Sequence, residues 1–328
     1  MFSGAAAAAS NLRRVEARRI AVIGSGAIGG VLAAAAHDLG HQVTLCARTP
    51  FDRLSLETPD GTAEVPVPVV TEPDAVGDVD WVLLTTKVPD VAGARPWLER
   101  LDAPGTPVVV VQNGIEHRES VADMGLSAPV LPALIYVAAE RVRPGHVVRR
   151  SPGTMLVEPG EVGTRFAALL AGSPVEVSVA EDFAAAAWRK LLSNVGANPI
   201  TALTLRRLDV FDVPEVRDLG AALLDEALAV ARAEGAALTR ADVDAVVSGF
   251  TSDFPRENGS SMLYDRLAGL PTEHEHITGA VVRAARRHGI PVPRNETVLA
   301  LMRGLRPTRL PASVAELRPS CASNPPKP

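Results

Sequence analysis

The chain has 328 residues, a net charge of -5 near neutrality, 47% hydrophobic residues and 22% charged residues, which is enough for about two domains and an ample core. Its acidic balance argues against a nucleic-acid partner, whose phosphates need a basic face, and no apolar run approaches the roughly 20 residues that span a bilayer, so no membrane partner is expected either. The two cysteines, Cys46 and Cys321, offer no disulfide framework and fit a reducing compartment, the cytoplasm.

Residues 1–18 read as a loose extension: the Ala-rich stretch is short and its arginines follow it, the reverse of a secretory leader. Ile20-Ala21-Val22-Ile23 is β-like and feeds Gly24-Ser25-Gly26-Ala27-Ile28-Gly29. Ile28, Leu32, Ala35 and Leu39 then recur at helical spacing, Gly40 supplies a stop, and Gln42–Cys46 is a second strand. In this βαβ setting Gly24 permits a tight turn, Gly26 lets the backbone approach a pyrophosphate, and Gly29 allows close helix packing. An NAD-preferring unit places a carboxylate at the end of the second strand, but this chain reads Leu45-Cys46-Ala47-Arg48. Arg48 suits the extra phosphate of NADP, so NADPH is expected over NADH; the plain alternative is a solvated surface arginine.

Thr58-Pro59-Asp60-Gly61 predicts a turn in a β excursion, followed by an edge strand over 65–70 interrupted by Pro66 and Pro68. The apolar runs 81–86 and Val108–Val111 predict buried parallel strands. Lys87 follows the first and Gln112-Asn113-Gly114 the second, at strand ends where ligands collect in a doubly wound sheet. Runs 130–137 and 145–149 are expected to extend that sheet. Asn113 is either a residue beside the nicotinamide or a turn residue before Gly114.

After Glu181 the chain reads as helices. Phe183, Trp188, Leu191, Leu192 and Val195 cover one face, with Lys190 and Asn194 four apart on a polar stripe that Asn198 continues. Pro199 is expected to end that helix. Val216, Leu219, Leu223, Ala227 and Val230 mark the next helix, with Gly235 as its stop, and Thr272 with Glu275 predicts a capping box opening a helix through Ile277, Val281 and Ala284 to Gly289. Prolines beyond 307 predict a disordered tail. The fold expected is α/β, a Rossmann-type doubly wound, mostly parallel sheet over 19–180, followed by an all-helical second domain over 181–306. His274 and His276 lie two apart and point to nearly opposite sides of a helix, so no metal is expected there.

Lysine is scarce: Lys87, Lys190 and Lys327 stand against 30 arginines. Charge alone is supplied by arginine, so a lysine beside a motif is a candidate for proton chemistry, which an arginine cannot perform.

Gly24 to Gly29, Lys87, Gln112-Asn113-Gly114, Trp188-Arg189-Lys190-Leu191 with Asn194, Asn198-Pro199-Ile200-Thr201-Ala202-Leu203, Ser260-Ser261-Met262-Leu263 and Thr272-Glu273 stand in the order seen in ketopantoate reductases. The chain resembles that family from about Arg19 to about Leu305. The resemblance implies an NADPH/NADP+-dependent reductase of 2-dehydropantoate (ketopantoate) in pantothenate synthesis, with a small oxo acid held between the two domains. It implies Lys190 as general acid, with Glu273 orienting it or binding a substrate hydroxyl, and Asn113 beside the nicotinamide. Lys87 is the implied cofactor-contacting lysine, while Asn194, Asn198, Asn258 and Ser261 match substrate-binding positions. Asn258 or Ser260 equally suits a helix start. Burial should lower the pKa of Lys190 and Glu273 should raise it, an opposition that sequence leaves open.

Three departures stand out. Asp90 replaces a glutamine common near the adenosine phosphate and would repel it, Thr278 replaces a common asparagine, and the stretch 131–136 lacks the usual glycines. The alternatives are a related NADP-dependent reductase of another 2-oxo or 3-oxo acid using the same lysine, and a non-catalytic NADP(H)-sensing protein, against which the Lys190, Asn194 and Glu273 set speaks because a sensor needs no proton donor. The assembly expected is a homodimer.

Overall fold

The computed structural model describes residues 16–250 and 258–306. Most of the N-terminal extension and the tail expected to be disordered therefore lie outside the described residues.

β1 (Arg19–Ile23) is a central strand with four successive buried residues, and it leads through the glycine turn into α1 (Ala27–Asp38) and β2 (Gln42–Cys46). The chain continues through β3 (Leu54–Thr58), β4 (Gly61–Val65), β5 (Val69–Val70), β6 (Trp81–Leu84), α2 (Val91–Leu101), β7 (Val108–Val111), α3 (Glu119–Ala122) and β8 (Val130–Tyr136). After these come β9 (Ala139–Arg143), β10 (His146–Arg149), β11 (Gly153–Val157), α4 (Glu161–Leu169) and β12 (Val175–Val179).

Eight strands form one sheet in the order β12-β11-β8-β7-β6-β1-β2-β5. β5, β2, β1, β6, β7 and β8 run parallel, and β11 opposes β8. Strand alternation sorts the core: Ile20 and Val22 pack with α1, whereas Ala21 and Ile23 pack with Val91, Ala94 and Leu98 of α2. Helices on both faces make the sheet doubly wound, and the carboxyl ends of β1, β6, β7 and β8 share one edge.

Two strand expectations change. The run 65–70 divides at Pro66 and Pro68, with its first residue in β4 and its last two in β5 at the sheet edge; proline donates no ladder bond, so pairing stops there. Segment 145–149 does not extend the main sheet: β10 joins a separate four-stranded sheet in the order β4-β3-β10-β9.

The regular elements described after β12 are all helical: α5 (Phe183–Thr204), α6 (Pro214–Ala233), α7 (Arg240–Ser248), α8 (Ser261–Leu267), α9 (Thr278–His288) and α10 (Pro293–Gly304). α5 runs through Pro199 rather than ending before it. An interior proline costs about 3 kcal/mol, but Val195, Ile200 and Ala202 on both sides of it are buried in the helical core, and their burial outweighs that cost. The Thr201 hydroxyl also donates to the Ala197 carbonyl at 2.9 Å.

The helix expected from Thr272 begins only at Thr278. Residues 274–277 form a turn in which the N–H groups of His276 and Ile277 donate to the Glu273 carbonyl. Glu275 does not close a capping box, because its carboxylate receives Arg303 at 2.6 and 2.9 Å. The turn is pressed onto the loop after β7, where a Cβ on Gly114 would lie 2.6 Å from the His276 carbonyl oxygen. Gly40, Gly235 and Gly289 stop their helices with positive φ.

Candidate active site

The glycine turn is built for close approach. Gly24 has φ +108°, and a Cβ there would sit 2.9 Å from the Thr86 nitrogen. A Cβ on Gly29 would lie 1.8 Å from the Gly24 carbonyl oxygen, so α1 packs directly on the turn. Gly26 differs: its φ of -76° is ordinary, and a Cβ would meet nothing within 4 Å. The space beside its backbone is therefore open. Gly26 caps α1 without a side-chain bond, and no acidic residue occupies the first turn. The first N–H groups of α1 therefore remain free to receive an anion. Ser25, Ala27 and Ile28 are partly exposed around this opening. Thr85, which the sequence did not single out, fixes the turn by donating to the Gly24 carbonyl at 2.8 Å.

Arg48 stands beyond β2 with its side chain 85% exposed, and its guanidinium meets the Asp90 carboxylate at 3.4 Å. Lys87 lies beyond β6 and donates to Asp265 of α8 at 2.5 Å, joining the sheet to the helical part across the intervening crevice. Burial pushes the Asp265 carboxyl above its ordinary range, while Lys87 works against that shift. Asp265 carries no sequence signal, since its partner is 178 residues away.

Lys190 projects from α5 onto the same sheet edge as the glycine turn. Its ammonium donates to the Ile135 carbonyl at the end of β8 at 2.6 Å and lies 4.9 Å from the centre of the Tyr136 ring. Burial lowers its pKa to about 8, with Glu273 acting in the opposite direction, so desolvation prevails in the contest that the sequence left open. Glu273 is only 5% exposed and accepts from the Asn113 amide at 3.0 Å. Asn113 is thus more than a turn residue: it ties the end of β7 to the turn before α9. Beneath that loop, His117 is buried and approaches the Gln112 carbonyl at 3.1 Å, and burial lowers its pKa to about 4.

Asn198 is buried, and the side-chain nitrogens of Asn194 and Asn198 are enclosed without a hydrogen-bond partner, as are the Thr86 and Thr278 hydroxyls. Enclosed polar groups without partners are costly unless a ligand satisfies them. Asn258 and Ser261 are exposed and are not drawn into this cluster; Ser260 starts α8 instead, accepting from the Leu263 N–H at 3.1 Å. A further crossing between the two parts pairs Arg283 with Glu116 at 2.5 Å. Tyr136 also went unremarked, although the chain has just two tyrosines and the scarcity that flagged lysine applied to it.

The arrangement offers an anion cradle at one end of the sheet edge and a desolvated ammonium with a buried carboxylate at the other. Among the described residues no helix is long and apolar enough to cross a membrane.

A family model described as ketopantoate reductase PanE/ApbA matches residues 20–161, and the model of that family's C-terminal part matches residues 182–306. A 2-dehydropantoate 2-reductase of Caulobacter vibrioides is 39% identical over 284 residues, covering 86% of this chain and 97% of that relative. A PanE/ApbA family ketopantoate reductase from Ralstonia eutropha is similar in structure, with a TM-score of 0.80 and 32% identity over 87% of this chain and 97% of that one. A dimeric ketopantoate reductase from Staphylococcus aureus gives a TM-score of 0.79 at 26% identity, covering 87% of this chain and 98% of the other.

Proposed function

Because this chain belongs to the ketopantoate reductase family, we propose that it is an NADPH-dependent oxidoreductase that reduces 2-dehydropantoate to pantoate, with Lys190 as the proton donor. The observation that carries the reading is the Lys190 ammonium, desolvated at the sheet edge and facing the Asn113–Glu273 pair. When bound, the reduced nicotinamide supplies hydride to the ketone carbon. Negative charge then develops on the ketone oxygen, where an ammonium both stabilises it and delivers the proton that completes the hydroxyl. A lysine brought to about pKa 8 stays mainly protonated at neutral pH yet releases its proton more readily than an ordinary lysine.

Asn113 holds the Glu273 carboxylate, and Glu273 in turn favours the charged form of Lys190. The free amide groups of Asn194 and Asn198 suit a carboxylate and hydroxyls, with Asn258 and Ser261 at the rim completing the substrate contacts when the crevice narrows. Gly24 to Gly29 receive the pyrophosphate, and Lys87 is the second cofactor contact. Arg48, with no carboxylate at the end of β2, supports NADPH over NADH. Residues 19–180 serve as the dinucleotide unit and 181–306 as the substrate unit of a cytoplasmic homodimer.

The test is loss of NADPH absorbance with 2-dehydropantoate, followed by a panel of other 2-oxo and 3-oxo acids. Turnover of 2-dehydropantoate is expected, and Lys190→Ala should abolish it while leaving NADPH binding nearly intact. Turnover of a different acid alone would reassign the substrate; surviving turnover in the variant would remove Lys190 as the acid. NADPH binding with no turnover of any acid would turn the reading to a sensor.

A further inference from the structure

We infer that Tyr136 is a positioning residue for the Lys190 ammonium, its ring face capping the cation and holding it charged at the mouth of the crevice. The inference rests on the reading of Lys190 as the proton donor. Tyr136 is the last residue of β8, directly after the Ile135 carbonyl that receives the lysine, so one short stretch of backbone supplies both contacts. Tyr136 is 43% exposed and Lys190 beside it is half-buried, so the contact between ring and ammonium lies near the protein surface. At 4.9 Å from the ring centre the cation lies within the range where the negative face of an aromatic ring attracts it. A lysine stem is long and flexible; a carbonyl on one side and a ring on the other restrict where its remaining N–H groups point.

The other charged and titratable groups around this contact are Glu273 from the turn before α9, His117 beneath the β7 loop and Arg189 on α5. Arg189 is itself engaged by Asp242 at 2.8 Å.

Two substitutions isolate the ring face. Tyr136→Phe keeps it, and Tyr136→Leu keeps an apolar cover of similar reach without it. The face favours the ammonium, so its loss lowers the pKa of Lys190. With three lysines in the chain, protein labelled with 13C-lysine gives few ε-methylene signals, and that of Lys190 is assigned by its loss in Lys190→Ala. The titration midpoint in Tyr136→Leu should fall by about half a pH unit, with Tyr136→Phe unchanged. In kinetics, kcat should fall several-fold in Tyr136→Leu with little change in KM, and Phe should restore it. An unchanged midpoint in Tyr136→Leu, or Phe and Leu shifting together, overturns the inference. A midpoint that moves while the pH limb of kcat/KM stays fixed upholds the ring contact and instead removes Lys190 as the acid.

Discussion

Gly26→Ala separates a cofactor role for the glycine turn from a purely structural one. The backbone at Gly26 has φ -76° and nothing stands within 4 Å of the added methyl, so the protein itself accommodates alanine. Replacing glycine where its φ suits alanine gains about 0.4–1 kcal/mol through the unfolded chain. Alanine is the poorer helix cap, and that loss is of similar size, from a few tenths to about 1 kcal/mol. The two nearly cancel, which limits the change in Tm to about 3 °C. Binding is different, because the methyl fills the space through which a pyrophosphate would reach the N–H groups of α1. Losing one charge-assisted bond, about 1.5–3 kcal/mol, weakens NADPH by about 10- to 150-fold. Gly29→Ala is the contrast: a Cβ 1.8 Å from the Gly24 carbonyl oxygen forces α1 away from the turn, so stability and binding fall together. Fluorescence titration with NADPH and thermal unfolding read the two quantities separately. Wild-type affinity in Gly26→Ala would show that no phosphate is cradled there.

The value of kcat/KM should be level at neutral pH and fall tenfold per unit above about pH 8, because the donor must carry its proton and is half deprotonated there. Glu273→Gln removes the carboxylate that favours the ammonium, so this limb should move to lower pH by about one unit; a fixed limb would exclude Glu273 as an influence on Lys190. Arg48→Ala should cut the NADPH-over-NADH binding ratio by about tenfold, the size of one screened phosphate contact. Asp90→Asn frees the guanidinium and should raise the ratio by about two- to threefold, since the pair it breaks is exposed. The opposite order of these two ratios would remove the Arg48–Asp90 pair from cofactor choice.

What the sequence disclosed is what local rules encode. The turn from Gly24 to Gly29 was legible because strand, glycines and helix are contiguous, and the helix stops at Gly40, Gly235 and Gly289 because a left-handed residue marks each end. Lys190, which the structure places against the Ile135 carbonyl, stood out in the sequence through rarity. Partners chosen in three dimensions were not: β10 could not be assigned to its small sheet, because β3 and β9 claim it from both sides. β11 alternates buried with more exposed residues over only five positions, and β12 buries Val175 alone, so neither announces itself. Pro199 misled because burial along α5 overrides a local preference, and Glu273 was placed in a helical turn because the pressure of the Gly114 loop leaves no trace in its own neighbourhood. Asp90 was read as repelling a phosphate, yet in the protein alone it engages Arg48.

The unbroken course of α5 acts as a ruler. At 1.5 Å per residue its 22 residues make a rod about 33 Å long, and Lys190, Asn194 and Asn198 stand on it at intervals of about 6 Å. A molecule gripped by the amine and the nearest amide can measure only a few covalent bonds from end to end. Length would thereby be graduated on one stiff element: under the proposed roles a short acid leaves Asn198 unread, and only a longer one would reach it.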